Sequence, residues 1–144
     1  MRSDDLTISS EPSAPAAETA VVEDGLNRFN ALATGQPPHR TVAIFARDPA
    51  GEIRGGLLGY VWAEWLHVTH LWVAEGFRGR GLGARLLAAA EEEASRAKAR
   101  GAFLSTFDFQ APEFYAKYGY EVYASHPDYP PGHSEWHMRK IFAP

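Results

Sequence analysis

Three glycines at alternate positions, Gly79, Gly81 and Gly83, interleave with Arg78 and Arg80, and Arg85 follows two residues on. An apolar run ending near Val73 precedes them, and a helical pattern beginning at Leu82 follows. A strand that feeds a glycine-rich turn and then a helix leaves the first N–H groups of that helix without carbonyl partners. Those donors stand at the positive end of the helix dipole, so the turn favours an anion, above all a phosphate. Glycine lets the anion approach the main chain and permits positive φ. Arginine adds planar donors that match phosphate oxygens. The bland alternative is a tight strand-to-helix turn with solvated arginines.

Tyr115 and Tyr118 lie in the aromatic stretch 114–120, where by residue type alone they read as aromatics packing a short amphipathic helix. His67 and His70 lie three residues apart in the third strand, and a histidine can accept a proton near neutral pH. On a regular strand His67 and His70 point to opposite faces. His126, His133 and His137 lie in a Pro-rich tail without metal-ligand spacing, so no metal site is expected. With no cysteine in the chain, disulfides, thiolate nucleophiles and cysteine metal sites are excluded.

The stretch Gly79-Arg80-Gly81-Leu82-Gly83-Ala84 also fits the dinucleotide fingerprint, with Asp108 standing where a ribose-binding acid could sit. The elements around it argue against that reading. Residues 41–46, 53–62 and 66–73 read as three strands of an antiparallel meander, with turns at 48–51 and 63–65. A dinucleotide-binding domain wants parallel strands joined by crossover helices.

Before the meander, residues 6–9 are β-favouring and suggest a first strand. Residues 11–20, rich in Pro, Ala, Ser and Glu, read as a flexible segment. Residues 21–33 carry Val22, Leu26, Phe29 and Leu32 at helical spacing, stopped by 34–38. After the loop, 82–100 is the strongest helix. Its stripe is Leu82, Leu86, Leu87, Ala90, Ala94 and Ala97, with Gly101 as its stop. Glu91, Glu92 and Glu93 read mostly as solvated surface, with Glu92 and Arg96 spaced for an i,i+4 pair. Residues 102–107 suit a buried strand, which makes 66–107 one parallel, right-handed crossover. Pro112 opens a short helix that Gly119 ends. Residues 121–125 and 136–141 form the last strands. The fold class is therefore α/β with a mixed sheet (α+β), an antiparallel meander plus one parallel crossover, in a single domain over 1–144.

The pattern Arg78-x-x-Gly81-x-Gly83 resembles the acetyl-CoA pyrophosphate loop of the GNAT family of N-acetyltransferases. One helix and one strand later, Phe114-Tyr115-x-Lys117-x-Gly119-Tyr120 is similar to the signature that closes that domain. The resemblance covers essentially the whole chain and is strongest over 66–120. It implies a sheet whose fourth and fifth strands splay apart, with pantetheine slotted between them. It implies that the main chain of Leu71, Trp72 and Val73 bonds the pantetheine and acetyl groups. Arg78, Gly79, Arg80, Gly81, Leu82, Gly83 and Ala84 would hold the pyrophosphate, and Tyr115 would protonate the departing thiolate. The position where the family often carries a basic carboxylate is His67 here, with Glu64, His70 and Asp108 as rivals. Asp108 stands where the family often has a cofactor-binding asparagine; it can accept a hydrogen bond but cannot donate as an amide does.

The implied function is transfer of an acetyl group from acetyl-CoA, as co-substrate, to a primary amine by direct attack. A non-catalytic CoA-binding or regulatory module on the same fold is the alternative, against which Tyr115 and the complete loop speak. The acceptor is a small-molecule or peptide amine, which one or two of the four tryptophans could contact by cation–π interaction. Residues 126–133 form either a loop over that acceptor or an ordinary connection. A homodimer is suggested by family habit. A net charge of −4 in 144 residues argues against nucleic-acid partners. No stretch approaches the roughly 20 apolar residues of a membrane span. The N-terminus leads into no apolar signal region, so the expected location is cytoplasmic.

Overall fold

The computed structural model describes residues 2–144. The chain forms two compact units, one ending at Pro38 and the other running from His39 to Pro144. In the first, helix α1 spans Ala16–Thr34 and ends on Gly35, whose φ of 69° lets its N–H reach the Ala31 carbonyl at 2.8 Å. The helix begins five residues before the apolar periodicity does. Ala16, Ala17 and Ala20 are strong helix formers, and Glu18 suits the positive end of the dipole. Residues 16–20, read as part of a flexible segment, are therefore helical. Residues 6–9 form no strand: β-favouring residues need a hydrogen-bonding partner, and all six strands of the sheet lie in the second unit.

That unit contains β1 (Arg40–Arg47), β2 (Ile53–Trp62), β3 (Trp65–Val73), α2 (Leu82–Arg96), β4 (Gly101–Phe107), α3 (Pro112–Lys117), β5 (Glu121–Pro127) and β6 (Ser134–Ile141). The sheet order is β1-β2-β3-β4-β6-β5. Among the described residues only β3 and β4 pair in parallel, joined by α2; the other pairs are antiparallel. Asp48 builds the β1–β2 turn by accepting the N–H groups of Ala50 and Glu52 at 2.9 and 3.0 Å. Ala63 and Glu64, at φ 50° and 70°, make the two-residue turn into β3, a backbone twist that suits a hairpin.

The core is the contact of α2 with one sheet face. Leu86, Leu87, Ala90 and Ala94 pack there with Val42, Leu57, Leu66, Val68, Ala102, Leu104 and Met138. The helix stops at Arg96, where Lys98 turns to φ 66°. Gly101 is thus not its stop. It is the first residue of β4, where a Cβ would strike the Lys140 main-chain oxygen and come within 2.7 Å of the Trp65 ring. Glu91 is not solvated surface either. It accepts from the Tyr120 hydroxyl at 2.7 Å and from Lys140 Nζ at 2.8 Å, tying α2 to the end of α3 and to β6. Glu92 does pair with Arg96, at 2.8 Å.

Gly101→Ala is expected to cost about 1–3 kcal/mol through overpacking, read as a lower denaturant midpoint at an unchanged slope.

Candidate active site

The parallel pairing of β3 with β4 lasts three rungs, Trp65 with Gly101, Leu66 with Ala102 and His67 with Phe103. Beyond His67 the strands part. The cause lies on the other edge of β3, where Leu58 pairs with His70 and Gly59 with Val68, leaving Thr69 as an extra residue. Such a bulge bends the strand that carries it. Thr69 donates its hydroxyl to the Leu58 carbonyl at 3.0 Å, and a Cβ on Gly59 would overlap the His67 carbonyl. The result is a wedge of about 660 Å³ between Val68–Val73 of β3 and Leu104–Thr106 of β4. Arg78, Phe109, Gln110, Ala111 and Tyr115 complete its lining. On the β4 side of β3, the main chain after His67 has no ladder partner.

The bulge also re-aims side chains. Leu58 and Tyr60 share a face of β2, so their partners His70 and His67 share that face too. The expectation that the two histidines oppose each other is corrected: it assumed a regular strand. Leu71 and Val73 turn toward the core, while Trp72 is exposed.

The glycine loop opens α2 at one end of this wedge. Gly79 and Gly81 hold φ of 76° and 77°, conformations that a side chain resists, and the space where a Cβ would stand is empty. Gly81 caps the helix without a side-chain bond, so the first-turn N–H groups from Leu82 on stay free for a ligand. Gly83 lies 3.4 Å, by its would-be Cβ, from the Phe114 ring of α3. The arginines divide. Arg78 donates Nε to the Val73 carbonyl at 2.9 Å and lines the wedge. Arg80 leans over the Phe77 ring and lines a separate cavity of about 420 Å³ with Arg47, Arg54 and Arg85.

Pro112 starts α3, and Gly119 ends it at φ 96°. The helix carries Tyr115 into the wedge wall, 8% exposed. Burial pushes its phenol up to about 12, so the hydroxyl keeps its proton at neutral pH. Tyr120 is also pushed up, by burial and then by its bond to Glu91, but its hydroxyl is committed to that carboxylate. Tyr118 is half-buried and packs on Phe114, with ring centroids 5.1 Å apart.

His67 sits on the last rung before the wedge opens. Its Nδ1 lies 2.8 Å from the Tyr60 hydroxyl, its ring stacks on Phe103 at 4.4 Å, and burial holds its pKa below the ordinary value. His70 is exposed, with Nδ1 3.0 Å from Thr69 Oγ1. Glu64 occupies the turn before β3, at the closed end of the wedge, in an ion pair with Arg100. Asp108 turns away from the wedge: its Oδ1 meets His133 Nδ1 at 2.8 Å, and its Oδ2 accepts the Ser134 N–H at 2.9 Å. Those bonds fasten the β5–β6 connection to the end of β4. Among the described residues no three carboxylates and histidines gather as metal ligands, and no helix is long and apolar enough to cross a membrane.

Thr69, Ser105, Phe109 and Gln110 line the wedge and were not singled out in the sequence. Gln110 accepts the Phe107 N–H at 2.8 Å, holding the turn after β4. None of the four carries a local sequence signal, because their position follows from pairing.

The parallel pair thus splays beside a glycine loop on a helix N-terminus, with a buried tyrosine in the wall of the gap. The family model described as an acetyltransferase (GNAT) domain matches residues 38–122. Blasticidin-S acetyltransferase from Streptomyces morookaense is 50% identical over 96 residues, covering 66% of this chain and 71% of that protein. An acetyltransferase from Agrobacterium fabrum is 35% identical over 107 residues, covering 74% and 78%. Among solved structures, an acetyltransferase from Bacillus cereus superposes with a TM-score of 0.79 at 30% identity, covering 93% of this chain and 98% of that one. The chain belongs to the GNAT family of acetyltransferases. It is an acyl-CoA-dependent N-acyltransferase.

Gly81→Ala is expected to lose about 1–2 kcal/mol of stability from backbone strain alone, seen as a lower melting temperature. Gly76→Ala, where a Cβ meets nothing and φ is not positive, serves as the unaffected control.

Proposed function

We propose that this protein acetylates a primary amine on a small basic molecule by direct attack on the acetyl thioester. The single observation that carries the reading is the wedge, with unpaired β3 main chain on one side and the buried Tyr115 in its wall. Its residues fit a CoA thioester. The cleft is elongated between two strand edges, one edge offers free amides, and one end meets a helix N-terminus with no side chain in the way.

Acetyl-CoA supplies an activated acetyl group with a sulfur leaving group. The main chain of Leu71, Trp72 and Val73 binds the pantetheine arm and the acetyl carbonyl, whose oxygen those amides stabilise as negative charge builds. Arg78 and the amides of Gly79, Arg80, Gly81, Leu82, Gly83 and Ala84 hold the pyrophosphate. Asp108, held by His133 and Ser134, fastens the β5–β6 connection rather than bonding pantetheine itself. His67 takes the proton that the amine nitrogen gives up as it bonds to the acetyl carbon. Tyr115 gives its proton to the sulfur as the carbon–sulfur bond breaks. With no cysteine in the chain, direct attack is favoured over a thioester on the protein.

The likeness to blasticidin-S acetyltransferase supports amine-bearing antibiotics as the acceptor class, with blasticidin S as the first probe. Calorimetric titration tests the donor half. Acetyl-CoA binds the wild type, and Gly81→Glu weakens binding by at least about tenfold, or 1.4 kcal/mol, because a carboxylate then faces the pyrophosphate. Equal affinity in both proteins refutes the loop assignment. Tyr115→Phe retains acetyl-CoA binding and loses about 10²–10⁴-fold in turnover. Because burial holds the phenol well above the ordinary tyrosine value of about 10, the wild-type rate shows no descending limb there. Unchanged turnover in the Phe variant removes Tyr115 from the acid role.

A further inference from the structure

The histidine that takes the amine proton must keep one ring nitrogen free of hydrogen, and which nitrogen that is depends on what the other one bonds. Across the β2–β3 ladder Tyr60 faces His67, and their contact is the Tyr60 hydroxyl with Nδ1 at 2.8 Å. The Tyr60 and His67 rings meet edge-on, with centroids 5.1 Å apart. Phe103 of β4 stacks on the imidazole nearly parallel, at 15°. One neighbour therefore fixes the ring plane and the other fixes its rotation within that plane. Tyr60 is itself braced by His39, 4.7 Å away, which in turn meets Trp62 at 5.5 Å.

We propose that Tyr60 is the positioning residue for His67, accepting a hydrogen bond from Nδ1–H and so keeping Nε2 as the free proton acceptor. The proposal rests on the reading of His67 as the base. Two arrangements could satisfy the Tyr60 contact. If the phenol donated to Nδ1, Nε2 would carry the ring hydrogen and could accept nothing. If Nδ1–H donates to the phenol oxygen, Nε2 holds a lone pair. Only the second arrangement survives proton uptake, since both nitrogens of the imidazolium are donors. The bond also strengthens when the ring becomes cationic. Tyr60 therefore favours the charged ring that proton acceptance creates, and it does so without an anion.

That feature matters at this place in the fold. The groups facing His67 are Tyr60 from β2 and Phe103 from β4, with the His39 ring behind Tyr60. No carboxylate or ammonium contacts it among the described residues, and the cause of its lowered pKa is burial. The phenol oxygen is the polar contact that counters that burial.

The test is a pH titration of the ring nitrogens by histidine-labelled NMR on the full chain without ligands. It compares the wild type with Tyr60→Phe, and His67→Gln assigns the signal. The expected wild type has Nδ1–H and a bare Nε2. In Tyr60→Phe the His67 pKa falls by about one unit and the two tautomers mix. A wild-type ring with its hydrogen on Nε2, or a pKa and tautomer indifferent to the substitution, overturns the proposal. The wild-type spectrum alone is decisive should Tyr60→Phe fail to fold.

Turnover of acetyl-CoA with blasticidin S separates this proposal from the reading beneath it. If Tyr60 positions the base, the acid limb of kcat/KM moves down with the His67 pKa in Tyr60→Phe, while the KM for acetyl-CoA holds. A uniform loss with an unmoved limb makes Tyr60 merely structural. Wild-type turnover in His67→Gln, with its acid limb intact, removes His67 as the base and the proposal with it.

Discussion

The site depends on β3 and β4 holding together for only three rungs. A longer parallel ladder would seal the sheet, and the amides of β3 would be spent on β4. Thr69 prevents that by inserting one residue against β2, which bends β3 away from its parallel neighbour. Everything that matters chemically is ordered around that departure. His67 stands at the last closed rung, Val68 to Val73 line the opening, and Tyr115 faces it from α3. The same insertion brings His70 round to the face of His67 and leaves Leu71 and Val73 on the core side.

Holding two strands apart requires support from elsewhere, and α2 supplies it. Its apolar stripe grips the sheet across β1, β2 and β3, and Glu91 binds both Tyr120 and Lys140. Two tyrosines five residues apart illustrate how environment divides labour. Both are buried and both resist ionisation. Tyr120 gives its hydrogen bond to a carboxylate and becomes scaffolding. Tyr115, on the short helix before it, lines the cleft and is available for chemistry.

Much of this was legible in the residues. The glycine loop, the meander, the crossover helix and the α3 aromatic stretch are local signals, written in turn residues and periodicities that a chain carries on its own. Positive φ at Gly79, Gly81 and Gly119 follows from residue type, and the apolar stripe of α2 from spacing. The parts that escaped are set by pairing or by distant partners. Thr69 looks like any strand threonine until its partner strand is known. The end of α2 at Arg96, rather than at Gly101, reflects a glycine needed where β4 squeezes between Trp65 and Lys140. Glu91 differs from Glu92 only because α2 turns it toward Tyr120. Asp108 and Arg80 stand in the expected segments, yet one carboxylate is held by His133 and one guanidinium leans on Phe77. The stretch at 6–9 has the composition of a strand but nothing to pair with.

An unpaired strand edge has a corollary in shape. Main-chain N–H and C=O groups repeat along β3 whatever side chains it carries, so the edge facing the wedge is graded by strand geometry and not by residue identity. An extended occupant with alternating donors and acceptors matches that edge along its length, as a missing strand would.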